Sequence, residues 1–100
     1  MSLHRYNARR DYDEKLYVEL FRKAGITVKR NSESGAPDLL LTKVGFTPVE
    51  VEVKTAKTQE KAIKKLTIQQ KAYWELYQGI KKLRLVWDVM SCISVIEEDF

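Results

Sequence analysis

Apolar residues that recur every three or four positions predict two helices. The first spans residues 12–24 and ends before Gly25, a residue often found just past a helix C-terminus. The second spans residues 68–78 and begins where Thr67 and Gln70 have the spacing of a helix-capping box. Its partly buried residues are expected to be Ala72, Tyr73 and Leu76.

Four other segments have the composition of β-strands. Residues 26–30 alternate between apolar and polar, residues 38–44 are mostly apolar, and residues 48–55 alternate strictly. Residues 83–89 form the most apolar run of the chain, which is typical of a buried central strand. The lysine-rich segment 57–66 has no clear pattern.

The C-terminal tail admits two interpretations. Ser91 could cap a short helix that turns Ile93 and Ile96 inward, or residues 93–96 could form an edge strand. We favour the helix. The order of elements is then α-β-β-β-α-β-α, which indicates an α/β sandwich.

Gly45 lies between the second and third predicted strands as the turn of a hairpin. If pairing is centred on Gly45, Asp38 lies opposite Glu52 with its side chain on the same face of the sheet. Strict alternation adds Lys54 to that face, together with Glu50, to which the sequence assigns no role. A solvated face with cross-strand ion pairs would explain the alternation but gives no reason for Asp38.

The length and composition describe one domain. Of the 100 residues, 44% are hydrophobic and 32% charged, and we expect residues 1–100 to form a single domain with a flexible segment at residues 1–11. A single cysteine, Cys92, excludes an internal disulfide, and no apolar run is long enough to span a membrane. We therefore expect an intracellular protein, either cytoplasmic or associated with the nucleoid.

Basic residues are concentrated in one part of the chain. The formal net charge is +4, but residues 54–84 hold nine basic and two acidic side chains, a local charge of +7. Residues 85–100 carry four acids and no base. The basic segment favours contact with a phosphate backbone or an anionic membrane.

Two carboxylates and one ammonium group on one hairpin face indicate a metal-dependent reaction. Placing Asp38 and Glu52 together costs free energy unless a cation neutralises them. Mg²⁺ fits best because it prefers oxygen ligands, and no His or Cys is available to favour a softer metal. Lys54 could hold the attacking water or counter the charge that develops on a phosphate. The implied reaction is metal-assisted hydrolysis of a phosphodiester.

Two motifs in this region resemble those of a known nuclease superfamily. Pro37-Asp38, followed 14 residues later by Glu52-Val53-Lys54, is similar to the signature of the PD-(D/E)XK nucleases. The L-T-x-x-Q pattern at residues 66–70, with aromatic residues close behind, resembles the VRR-NUC branch. The elements upstream are similar to archaeal-type Holliday-junction resolvases.

The resemblance covers about residues 12–89 and implies a fold as well as a site. The fold would be α/β with a restriction-endonuclease-like core, in which helices flank a mixed β-sheet. An additional metal-binding acid is implied on the first helix, where we prefer Glu14 and keep Glu19 as its competitor. A first-turn acid that stabilises the helix dipole is the simpler explanation of Glu14.

The catalytic residues implied by the resemblance are Asp38, Glu52, Lys54 and Gln70. The two acids are metal ligands for Mg²⁺, for which Mn²⁺ can substitute, and Lys54 is the catalytic lysine. Gln70 is an active-site polar residue on the second helix. It has a simpler explanation too, because the capping box alone accounts for a Gln at this position.

Polar and basic residues near the motifs are expected to contact DNA without reading its sequence. The candidates are Arg30, Ser34, Lys57, Lys61, Lys64, Lys65 and Lys71. Lys81, Lys82 and Arg84 have the same charge and could act in the same way. The simpler alternative is a solubilising surface.

The sequence therefore predicts a Mg²⁺-dependent DNA endonuclease. The chain is too short for a separate recognition domain, so we expect it to recognise branched, Holliday-junction or duplex DNA by structure. A homodimer would present two active sites to two strands. The alternative is a non-catalytic DNA-binding or assembly module with the same fold. A sequence-specific enzyme is poorly supported, because no segment is left to read base edges.

Overall fold

The computed structural model describes residues 2–33 and 35–100, with only the backbone described between residues 2 and 12. Within these limits, helices and strands follow in this order: α1 Ser2–Lys23, β1 Thr27–Arg30, β2 Leu39–Thr42, β3 Val49–Val53, α2 Gln59–Lys64, α3 Ile68–Tyr77, β4 Lys82–Val86 and α4 Val89–Asp99. None of the helices in this part of the chain combines the length and apolar character needed to cross a bilayer.

The four strands form one mixed sheet in the order β1-β2-β3-β4. The first three strands pair antiparallel, whereas β3 and β4 are parallel and are joined through α2 and α3. A parallel pair needs such a helical crossover because a short turn cannot return the chain to the same end of the sheet. The expected α/β fold with a mixed sheet flanked by helices is confirmed.

The apolar core lies between one face of the sheet and helices α1 and α4. The alternating valines of β3 on that face are fully buried and pack with Phe21 of α1 and Cys92 of α4. Strict alternation in β3 therefore has its expected cause, since one face is covered by apolar side chains. Glu50 and Glu52 consequently lie on the opposite face, where α2 and α3 cross.

Helix α1 ends where the sequence predicts, with Gly25 at a φ of +82° just past its C-terminus. It begins at Ser2, well before the predicted start at Tyr12. Met1 and the side chains of residues 2–12 lie outside the described residues, so the expected flexibility of residues 1–11 stays a prediction.

The C-terminal tail is helical, as favoured, but its cap differs from the expected one. Asp88 caps α4 by accepting a hydrogen bond from the Ser91 backbone N–H at 2.8 Å, and the Ser91 hydroxyl accepts one from the Asp88 backbone N–H. Ser91 is thus the third residue of a capping box. The unassigned segment 57–66 contributes the short helix α2, which Thr58 caps.

The prediction of a central strand at residues 83–89 is wrong. Strand β4 spans Lys82–Val86 and pairs with β3 alone among the described strands, which leaves it at the edge of the sheet. Helices α2 and α4 explain why β4 is apolar, because they contact the strand from its two faces. Leu83 and Val86 are buried by these helices.

The predicted buried face of the second helix is also wrong in part. Helix α3 has no buried residue: Ala72 is exposed, the exposed fraction of Leu76 is 63%, and Tyr73 alone of the three is half-buried. A polar contact ties this helix to the sheet instead, from the Tyr73 hydroxyl to Glu50 of β3. Periodicity could not reveal this, because it detects an apolar stripe but not what the stripe faces.

Candidate active site

The hairpin of β2 and β3 has the register that the sequence predicts. Leu39 pairs with Val51 and Leu41 with Val49, so the pairing is centred on Gly45. Gly45 has a φ of +87°, a conformation that residues with a Cβ rarely adopt. Turn and register therefore agree, and a slip by one residue would exchange the two faces of β3.

The same register, carried one residue further, puts Asp38 opposite Glu52. Asp38 Oδ2 accepts a hydrogen bond from the backbone N–H of Val53 at 2.9 Å. Because Val53 follows Glu52 directly, this bond holds the Asp38 carboxylate against the segment of β3 that carries Glu52. The two acids thus occupy neighbouring positions of one hairpin.

Glu52 is fully buried, with an exposed fraction of 0%. It lies on the face of β3 opposite to the buried valines, so its burial is due to the elements of the second face. A carboxylate removed from water keeps its charge only next to cations or hydrogen-bond donors. This position therefore suits a group that binds a cation.

Lys54 lies directly past β3 and continues its pairing with β4. Its backbone N–H donates a hydrogen bond to the Val86 carbonyl at 3.0 Å. Alternation therefore extends to Lys54, which shares the face of Glu52 and is partly buried.

Helix α1 reaches the same end of β3 through Asp13. The Thr55 hydroxyl donates a hydrogen bond to Asp13 Oδ2 at 3.0 Å, which joins the helix to the residue that follows Lys54. Glu14 is the next residue of this helix and is partly buried, whereas Glu19 is exposed. This geometry favours Glu14 over Glu19 as the additional acid.

Asp13 and Thr55 are polar residues of this region that the sequence analysis did not single out. The only signal available was their position, since each adjoins a candidate site residue, Glu14 or Lys54. The hydrogen bond between them joins positions 42 residues apart, which no local pattern contains.

Gln70 takes part in the predicted capping box. Its Oε1 atom accepts a hydrogen bond from the Thr67 backbone at 2.9 Å, and its own N–H donates to the Thr67 hydroxyl at 3.1 Å. The structure thus assigns Gln70 the simpler of its two explanations. A role for Gln70 in catalysis stays a prediction.

Glu50 contacts two side chains that the sequence did not reveal as its partners. Its carboxylate accepts a hydrogen bond from the Tyr73 hydroxyl at 2.6 Å and forms an ion pair with Lys81 at 3.0 Å. Burial and the bond to Glu50 raise the pKa of Tyr73. Hydrogen bonds to Tyr73 and Glu50 raise the pKa of Lys81 above its usual range. Glu50 therefore anchors α3 and the start of β4 to β3.

The lysines that were expected to contact DNA are exposed, and most lie on or beside α2. They are Lys57, Lys61, Lys64, Lys65 and Lys71. Lys64 forms a 3.8 Å pair with Glu60, and Lys65 donates a hydrogen bond to the Thr55 carbonyl. Arg30 is exposed at the end of β1, whereas Ser34 lies outside the described residues.

Three other basic residues are engaged within the protein. Lys81 pairs with Glu50, while Lys82 and Arg84 pair with Asp99 of α4 at 3.6 and 2.8 Å. The Asp99 side chain has an exposed fraction of 2%, so these contacts fasten α4 to the sheet. The candidate DNA-contacting surface is therefore smaller than the +7 segment suggests.

The donors at the hairpin fit a hard cation. Both Asp38 and Glu52 offer carboxylate oxygens, which Mg²⁺ prefers, and the buried Glu52 places one of them away from competing water. In the described part of the chain, no group of three His, Cys, Asp or Glu side chains forms a complete metal cage.

A cavity of about 740 Å³ lies elsewhere, along the open edge of β4. It is lined chiefly by Ile63, Leu66, Trp74, Leu85, Trp87 and Met90. The hairpin acids and Lys54 do not line it, so this cavity and the candidate site are separate features. The candidate active site is assigned from the chemistry of the hairpin.

Comparison with known proteins gives one relevant match. A scan against family models and a search of curated proteins match nothing. A solved structure described as a VRR_NUC domain superposes on this chain with a TM-score of 0.73 and 25% sequence identity, covering 91% of this chain and 97% of that one. This chain has the VRR-NUC fold. The resemblance inferred from the motifs is thus confirmed, and a VRR-NUC fold points to a nuclease-type enzyme.

Proposed function

We propose that this VRR-NUC-like protein is a Mg²⁺-dependent DNA endonuclease that acts on branched or duplex DNA according to its structure. The observation that carries the proposal is the pairing of Asp38 with the fully buried Glu52 on one hairpin, in a chain with the VRR-NUC fold. The non-catalytic alternative requires no such pair.

In this proposal Asp38 and Glu52 hold the metal. Glu14 of α1 is the candidate for an additional ligand, and it would have to approach the hairpin pair on metal binding, because the three acids do not form one group in this structure. When bound, Mg²⁺ or Mn²⁺ would supply Lewis-acid activation of the scissile phosphate and of the attacking water. Lys54 lies on the face of Glu52, where its ammonium group orients the attacking water and stabilises negative charge that develops on the phosphate. Gln70 at the start of α3 is the remaining polar candidate.

DNA would be held by the exposed basic residues around α2. Lys57, Lys61 and Lys64 lie on the segment that leaves the active-site end of β3, and Lys71 lies on α3. Contacts of this kind bind the backbone of any sequence, which supports recognition by structure. Arg30 at the end of β1 is a further proposed contact, and Ser34 stays a candidate from the sequence alone.

Cleavage of a panel of DNA substrates tests the function. Single-stranded, duplex, flap and four-way-junction DNAs are incubated with the protein and Mg²⁺ or Mn²⁺, and EDTA serves as the control. We expect metal-dependent cuts that favour one branched substrate. Salt-sensitive DNA binding without any cleavage would instead support the non-catalytic module.

We also propose that the protein acts as a homodimer. Support comes from apolar residues left exposed around the edge of β4, including Met90 with an exposed fraction of 67% and Ile80 with 76%. The indole N–H of Trp74, in the cavity at this edge, is buried without a hydrogen-bond partner among the described residues. A facing chain would cover the exposed apolar side chains.

Light scattering after size-exclusion chromatography measures the oligomeric mass. The wild-type protein is expected to elute with the mass of a dimer, and Met90→Glu is expected to shift it toward the monomer because a charge would enter the interface. A monomeric wild type across the micromolar range would contradict the proposal.

A further inference from the structure

Thr55, the residue after Lys54, is held from two directions. Its hydroxyl donates a hydrogen bond to Asp13 of α1 at 3.0 Å, and its carbonyl accepts one from the ammonium group of Lys65, just past α2. Both partners are charged groups, and hydrogen bonds to charged groups are the stronger kind. The chain is thus fixed at the point where it leaves the sheet.

This fixation acts on Lys54. The Lys54 N–H is bonded to the Val86 carbonyl of β4, so the peptide before Lys54 and the residue after it are both restrained. Because side chains alternate along a strand, a Thr55 side chain tied to α1 turns Lys54 toward the opposite face, which carries Glu52. Release of Thr55 would let the lysine backbone rotate.

We infer that Thr55 is a positioning residue for Lys54, and that Asp13 acts through it. The inference rests on the proposed nuclease function and adds to it a reason for two polar residues that bind neither metal nor phosphate in the proposed scheme. It also gives Lys65 a task besides contact with DNA, since its ammonium group restrains the Thr55 carbonyl.

The test compares two substitutions at one position. Thr55→Val keeps the shape of the side chain and removes the hydroxyl, whereas Thr55→Ser keeps the hydroxyl. With the best-cleaved DNA of the panel and Mg²⁺, Thr55→Val is expected to lower kcat about 10- to 100-fold, since displacement of a catalytic group by about 1 Å has effects of this size. KM should change by less than about twofold, because uniform substrate binding is untouched. Thr55→Ser should restore most of kcat.

A double-mutant cycle links the effect to Asp13. Asp13→Ala is expected to lower kcat as Thr55→Val does, and the double variant should be no slower than either single one, because both remove the same contact. Thr47→Val is the matched control. Thr47 is exposed in the loop before β3, and its substitution should leave kcat unchanged.

The outcomes separate this inference from the proposed function. An active wild type with a Thr55→Val variant that keeps kcat within about threefold would overturn the positioning role alone. Equal impairment of the Ser and Val variants would overturn it too, because the hydroxyl would then be irrelevant. A wild type that cleaves nothing would overturn both. Circular dichroism of each variant verifies that a lower kcat comes from a folded protein.

Discussion

Substitution of Lys54 by methionine is expected to lower the rate of DNA cleavage about 10²- to 10⁴-fold, the range found when one positioned catalytic group is removed. Methionine keeps the length and the apolar stem of lysine but has no ammonium group, so the developing phosphate charge loses its cation. Single-turnover cleavage with saturating protein measures the chemical step without contributions from DNA affinity.

A matched variant shows whether the loss of any one lysine charge lowers the cleavage rate. Lys15→Met removes an exposed lysine of α1 and should cleave at the wild-type rate. If Lys54→Met folds, binds DNA with wild-type affinity and still cleaves within about tenfold of wild type, then the lysine is not the catalytic group. The E-V-K motif would in that case reflect only the alternation of residues in a β-strand.

The register of the hairpin could be predicted from the sequence because two independent constraints agree there. Strict alternation defines the two faces of β3, and Gly45 defines the centre of the turn, so the partner of Asp38 follows from counting residues. The mixed sheet needed more than counting, since only the resemblance to the PD-(D/E)XK nucleases implied it. Both predictions concern backbone geometry, which local sequence strongly restricts.

The errors concern contacts between distant elements. The apolar run of β4 suggested a central strand, but helices on both faces bury an edge strand equally well. The apolar residues of α3 suggested a core face, yet the helix is held by Tyr73 and Glu50 and leaves Leu76 exposed. Composition reports how much apolar surface an element has, and it cannot report which surface covers it.

The distribution of charge shows the same limit. Lys82 and Arg84 were counted with the basic segment, but Asp99 of the acidic tail pairs with both. These two basic side chains therefore form ion pairs that stabilise the fold, and they are less available to the candidate DNA surface. The lysines of α2 remain exposed beside the end of β3 that carries Glu52, and a metal at Asp38 and Glu52 would make that surface more positive still.

Mg²⁺ is expected to stabilise the wild-type protein against unfolding, and Glu52→Gln is expected to abolish that effect. A ligand that binds only the folded state raises the free energy of unfolding by about 2.7 kcal/mol at 100 times its Kd. The hairpin that joins Asp38 to Glu52 exists only in the folded chain, so the metal should follow this rule. Denaturant unfolding in Mg²⁺ and in EDTA, at matched ionic strength, measures the difference.

Two further variants make this measurement specific to the site. Glu19→Gln removes an exposed acid of α1 and should keep the full response to Mg²⁺, whereas Glu14→Gln should weaken it. Since DNA is absent, the result does not depend on which substrate is cut. An equal response to Mg²⁺ in Glu52→Gln and wild type would mean that the ion binds elsewhere, because Gln keeps an oxygen but lacks the negative charge of the proposed ligand.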